Sequence, residues 1–151
     1  MLLHELKYRG RRRVATRLAE TLLAEPAACA VLSGADALVP VPLHPRRRRE
    51  RGFNQAELIA AAISRCTGVT VLGSALVRRK DTAPQTGLSA AARRGNMRGA
   101  FAVRRRAQIA QRRLVLVDDV LTTGATALAC ARALREAGAI EVRLLSVARA
   151  L

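Results

Sequence analysis

The sequence predicts an α/β fold, a mostly parallel sheet flanked by helices. Three observations point there. Short apolar runs recur at 35–43, 69–72, 114–117 and 142–148. Helical patterns alternate with them, the arrangement that connects parallel strands. The run Leu114–Val117 passes through two acids into a Thr/Gly loop and then a helix, and sheets of this class bind ligands beyond such strand ends. The chain has 151 residues and is 50% hydrophobic, so we expect one domain over 1–151 with one core. Only 2% is aromatic, so that core must be aliphatic.

Residues 1–9 and 12–25 read as helix and form an N-terminal helical segment. In the second helix Val14, Leu18 and Leu22 recur every fourth residue with Ala15 beside them, and Pro26 ends it. The run 35–43, ADALVPVPL, is a buried strand. Its pairing should end near Val41, because Pro40 and Pro42 have no N–H to donate. Asn54, with Glu57 three residues on, marks a capped helix start. That helix runs from Gln55 to Cys66, and Gly68 closes it. Residues 69–72 give the next strand. Residues 80–100 are polar, rich in Gly, Thr and Arg, and read as a long loop with a turn of helix after Ser89. Leu114–Val117 is the clearest strand. Residues 127–139 are the clearest helix, with an apolar stripe of Leu128, Ala131 and Leu134 and a stop at Gly138. Residues 142–148 close the sheet.

Composition excludes several classes. No apolar run approaches the ~18 residues a membrane-spanning helix needs. Glu5, Lys7 and Arg9 interrupt any leader-like stretch, so the expected location is cytoplasmic. Cys29, Cys66 and Cys130 are far apart, with no C-x-x-C. No zinc is therefore expected in this chain, and all three read as small core residues. The chain carries 27 basic and 11 acidic residues, a net charge of +16. All but Lys7 and Lys80 of the basic residues are Arg. Such a surface attracts phosphate-rich partners, either nucleic acid or a polyphosphate metabolite.

The stretch LVLVDDVLTTGAT, 114–126, carries the chemistry. Small residues at Thr122, Thr123, Gly124, Ala125 and Thr126 let backbone approach a ligand. Free N–H groups at the start of the following helix make an anion site, and Thr hydroxyls add donors. Asp118 and Asp119 would repel a phosphate. Ribose hydroxyls or a phosphate-bound Mg²⁺ are their natural partners. A solvated acid pair in a strand–helix turn is the plain alternative.

This stretch resembles the 5-phosphoribosyl 1-pyrophosphate (PRPP) motif of type I phosphoribosyltransferases. The resemblance implies a type I phosphoribosyltransferase-like fold. It also implies that Asp118 and Asp119 are the catalytic carboxylates, binding the ribose 2′- and 3′-hydroxyls directly or through Mg²⁺ that comes with PRPP. Thr122 to Thr126 would cradle the 5′-phosphate. Purine-salvage members have an aspartate at the position of Thr122. The Thr here argues against hypoxanthine–guanine chemistry. RGFNQAEL and QTGLS…R…N…GAF, with LVPVPLHPRRRRERG and the N-terminal block, resemble the ComF (GntX-like) family, associated with natural competence. Many members carry a Cys-rich zinc ribbon ahead of the first block, where this chain starts.

By the same resemblance HPRRRRERG, 44–52, occupies the place of a pyrophosphate loop. Arg51 and Gly52 are its candidate ligand residues, since Gly52 permits close approach and Arg grips phosphate oxygens in pairs. The cluster also fits a nucleic-acid patch or a solvated face. His44 reads as structural or substrate-orienting. Lys80, Arg93 and Arg98 in the 80–100 loop would neutralise a pyrophosphate leaving group, or belong to an ordinary basic loop.

Two functions compete. One is a Mg²⁺-dependent phosphoribosyltransferase (a glycosyltransferase) whose acceptor is unreadable. The other is a basic nucleic-acid-handling protein that keeps the pocket for binding or regulation. Expected partners are PRPP or another phosphoribosyl compound, non-specific single-stranded DNA, and a second copy in a homodimer. The three aromatics, Tyr8, Phe53 and Phe101, are too few for a base-stacking platform.

Overall fold

The structure, a computed structural model, describes residues 11–81, 89, 91, 92, 95 and 97–150. Its elements in order are α1 (Arg11–Leu23), α2 (Pro26–Leu32), β1 (Ala37–Pro40), α3 (Pro45–Arg51), α4 (Gln55–Thr67), β2 (Thr70–Val71), β3 (Leu76–Arg78), β4 (Phe101–Val103), α5 (Arg106–Ile109), β5 (Arg113–Leu121), α6 (Ala125–Glu136) and β6 (Glu141–Arg149).

Four strands form a sheet in the order β2-β1-β5-β6, and every pairing in it is parallel. The α/β fold with a parallel sheet is thus as expected. Sheet alternation divides the core in two. Val39, Leu114 and Leu116 face α6 and the β3–β4 ribbon. Leu38, Val115, Val117 and Leu145 face α1, α2 and α4. Both faces are therefore covered, as parallel strands require. At the N-terminal end of the sheet, Asp36 accepts the Arg113 N–H at 2.7 Å and donates its own N–H to Arg113 O at 2.8 Å, fixing the β1–β5 register.

Several elements differ from expectation. Pro26 opens α2 at its first turn as well as ending α1, because the missing N–H of Pro costs nothing there. β3 and β4 pair antiparallel as a separate ribbon at the flanks of the 80–100 segment. HPRRRRER is a helix: His44 Nδ1 accepts the Arg46 N–H at 3.3 Å as its cap. The buried line of α6 is Ala127, Cys130 and Leu134, and Leu128 is 45% exposed. Small side chains at 127 and 130 let α6 lie close to the sheet, which turns Leu128 outward. Cys130 is buried, while Cys29 and Cys66 are exposed. The core reading holds for Cys130 alone. Ala91, Ala92 and Gly95 are helical, and Ser89 Oγ accepts the Ala92 N–H at 3.2 Å, as the turn after Ser89 predicted. The helix expected over 1–9 lies outside the described residues. No helix among the described residues is long and apolar enough to cross a membrane.

Candidate functional site

The strand order places the site. From β1 the chain crosses to β2 on one side, and from β5 it crosses to β6 on the other. Adjacent parallel strands whose connections diverge leave a crevice at their C-terminal ends. The β1–β5 ladder ends at Pro40 and Val117, with one further bond from Val41 N–H to Val117 O at 2.9 Å. β5 then continues to Leu121, paired with β6 alone. Asp118 and Asp119 lie in this overhang, inside the strand rather than after it. Their position beside the departing β1 chain opens them to the crevice.

Each carboxylate accepts the backbone N–H of the next residue, Asp118 from Asp119 at 2.9 Å and Asp119 from Val120 at 2.8 Å. Burial, and then the neighbouring Asp119 carboxylate, push Asp118 up to about 7. Cys130 lies close enough for its thiol, already raised by burial, to be raised further by the Asp118 charge.

The loop that follows turns at Gly124, whose φ of 78° is left-handed and suits glycine. Gly124 offers α6 no side-chain cap, and N–H groups in the first turn of a helix have no partner within the helix. The Thr123 hydroxyl accepts the Ala125 N–H at 3.4 Å. Thr122 and Thr123 are exposed, and Thr126 is half-buried. The structure thus joins Asp118, Asp119 and residues 122–126 at one strand–helix junction.

The chain that leaves β1 continues into α3. The Asp81 carboxylate lies 3.7 Å from Arg46, 3.8 Å from Arg47 and 3.9 Å from His44. Lys80 donates to Arg98 O at 3.2 Å, so the two ends of the 80–100 segment meet. Arg51 is exposed at the end of α3, and Gly52 ends that helix with a left-handed φ of 75°. Glycine at 52 thus has a local reason, the helix stop. Arg93 lies outside the described residues.

Residues 51–150 match the family described as Phosphoribosyl transferase domain. The chain belongs to this family. Competence protein F of Haemophilus influenzae is 40% identical over 116 residues, covering 76% of this chain and 51% of that protein. DNA utilization protein YhgH of Escherichia coli O157:H7 is 36% identical over 154 residues, covering 100% of this chain and 67% of that protein. The chain therefore spans about half the length of the first relative and two thirds of the second. These relatives agree with the ComF resemblance.

Among solved structures, the glutamine PRPP amidotransferase from B. subtilis aligns with a TM-score of 0.58 and 23% identity, over 88% of this chain and 26% of that one. An adenine phosphoribosyltransferase from Thermoanaerobacter pseudethanolicus aligns with a TM-score of 0.52 and 17% identity, over 91% of this chain and 81% of that one. Both show the type I phosphoribosyltransferase fold.

Within this phosphoribosyl transferase domain, Arg78 is a residue that sequence reasoning missed. It sits on β3 with its guanidinium 5.5 Å from the Phe101 ring centroid, and its Nε donates to Lys80 O at 3.2 Å. Burial, and then Arg47, push its pKa down. Asn54 is also more than a cap. It is buried, its Oδ1 accepts the Ala56 N–H, and its Nδ2 donates to Val41 O at 2.9 Å. It thereby ties α4 to the β1 chain at the crevice. No sequence signal marks a half-buried Arg on a three-residue strand, or the second partner of a helix cap.

Proposed function

We propose that the crevice binds PRPP and that the chain transfers its phosphoribosyl group to an acceptor, releasing pyrophosphate. The observation that carries this reading is the junction of Asp118 and Asp119 with the open start of α6. In it, residues Thr122 to Thr126 hold the 5′-phosphate through backbone N–H groups and hydroxyls. Asp118 and Asp119 accept from the ribose hydroxyls. By the family resemblance Arg51, Gly52, Lys80, Arg93 and Arg98 would serve the pyrophosphate, where cations stabilise charge on the leaving group.

The residues fit Mg²⁺ carried in with PRPP. Among the described residues no group of three or more His, Cys, Asp or Glu forms a metal cage. Mg²⁺ on a phosphate substrate characteristically needs only one or two carboxylates. When bound, the ion would neutralise charge on the departing pyrophosphate. Asp118 must lose its proton to serve such a cation, which its value of about 7 permits near neutral pH.

Calorimetry and thermal unfolding test the pocket. Mg²⁺–PRPP at about a hundred times its Kd should stabilise the chain by roughly 2.7 kcal/mol. Changing Asp118 and Asp119 to Asn should remove that gain. Equal stabilisation of both proteins would overturn the assignment. Pyrophosphate release from PRPP then separates an enzyme from a binding protein.

A second reading is supported by α3, where Arg49 and Arg51 are exposed and in no ion pair among the described residues. Relatives whose names refer to competence and DNA utilization favour a role in DNA uptake. The domain would then also hold single-stranded DNA by charge alone.

A further inference from the structure

Asp81, just after β3, is surrounded by basic groups that do not bond it. Its carboxylate lies 3.7 Å from Arg46 and 3.8 Å from Arg47 of α3. Both distances are beyond hydrogen-bond reach. His44 Nδ1, 3.9 Å away, already accepts the Arg46 N–H, so it has no proton to offer Asp81. Other ion pairs of the chain close tightly, Arg46 on Glu50 at 3.0 Å and Arg143 on Glu141 at 2.8 Å. Asp81 is held by the field of its neighbours rather than by fitted bonds.

Those neighbours are short of negative charge. Arg46 is shared with Glu50. Arg47 has Asp81 as its ion-pair partner and no other among the described residues. Burial, and next the Arg47 charge, push the pKa of Arg78 down, while Cys130 and Asp81 act the other way. Two half-buried guanidiniums thus repel each other, with one loosely placed carboxylate to offset the repulsion. The cluster also connects to the crevice. The Cys130 thiol feels the charges of both Asp118 and Arg78, so Arg78 lies between the Asp118 carboxylate and the group of Arg47 and Asp81.

Asp81 brings these cations a single negative charge and no hydrogen bond. A pyrophosphate group brings more charge and several acceptor oxygens, each able to take a charge-assisted bond from a guanidinium. The two compete for the same cations. We propose that Asp81 is an internal competitor of the pyrophosphate group: it occupies Arg46 and Arg47 in the free chain, yields them to the ligand, and by its return helps to expel the product. The proposal rests on the phosphoribosyl reading above and concerns the regulation of that same site. An internal anion lowers the apparent affinity by the fraction of time that it holds the cations. It also keeps Arg47 and Arg78 from retaining pyrophosphate after transfer.

The test titrates inorganic pyrophosphate, without metal, into the full chain by calorimetry. Asp81→Asn keeps the size of the side chain and removes its charge. It should bind pyrophosphate at least about five-fold tighter than the wild type. Glu57→Gln removes the same unit of charge and releases Arg48 on the same helix. It should gain less than about two-fold, because exposed ion pairs contribute little. Arg47→Gln in the Asp81→Asn background should cancel most of the gain. Tighter binding is not produced by loss of fold, so the expected result is not mimicked by a damaged variant. Affinity of Asp81→Asn equal to or below that of the wild type, an equal gain in Glu57→Gln, or no pyrophosphate binding by either chain overturns the proposal. Failure of the wild-type chain to bind Mg²⁺–PRPP, titrated separately, would instead overturn the phosphoribosyl reading.

Discussion

Asp118 shows how one side chain links stability to ligand. Its ordinary value is 3.8, and burial with the Asp119 charge raises it to about 7 in the folded chain. Between those values the folded state holds a proton that the unfolded state has released. The associated stabilisation is therefore complete below the unfolded value and is lost as pH rises through about 7. Asp118→Asn removes the titration while keeping the shape. Urea unfolding should show the wild type losing stability relative to the variant between about pH 4 and pH 7. Parallel curves over that range would contradict the shift. Cys130 gives a second residue-level outcome. Its thiol is buried and pushed up, while Cys29 and Cys66 are exposed. A thiol reagent should label Cys29 and Cys66 in the native chain, and Cys130 only after unfolding. Early labelling of Cys130 would show that α6 packs more loosely than described.

At the scale of elements, the crevice depends on how α4 meets β1. Asn54 supplies both the helix cap and the bond to Val41 O. Asn54→Ala should cost about 2–3 kcal/mol in urea unfolding, a lost cap plus an unpaired buried carbonyl. Asn54→Asp keeps the cap and loses only the donor, so it should fall between. If Ala and Asp behave alike, the Val41 bond contributes nothing. The cap itself was legible, because Asn54 and Glu57 have the spacing of a capped start. Glu57 went elsewhere, to Arg48. The helix α3 was not legible, since PRRRRER has no apolar period. Its ends are set locally, by the His44 cap and by left-handed Gly52.

For the whole molecule, the charge of +16 is the dominant long-range property. Single-stranded DNA held through its phosphates should bind with a steep salt dependence and little sequence preference. Removing one phosphate-binding side chain reduces the log–log slope by about 0.7, so Arg49→Gln/Arg51→Gln should reduce it by roughly 1.4. Fluorescence titrations at several salt concentrations measure this. Binding that resists salt would rule out the electrostatic reading.

The local pattern of residues was enough to reveal the parallel sheet, the α6 helix and the acid–Thr/Gly junction. Each of these is a contiguous segment, and its signal is complete within a few neighbouring residues. The apolar run Leu114–Val117 could be read as a strand, and residues 122–126 as an anion loop, without knowing what packs on them. The strand order could not be read that way, because pairing of β5 between β1 and β6 joins segments far apart in the chain. That order alone sets the crevice and leaves Asp118 and Asp119 beyond the end of β1. The face of α6 was also decided tertiarily. Leu128 is the more apolar side chain, yet the sheet takes Ala127 and Cys130 because close packing rewards their small volume. The cluster of Asp81 with Arg46 and Arg47 was decided tertiarily too: it joins segments far apart in the chain, and no short window of sequence contains both sides of it.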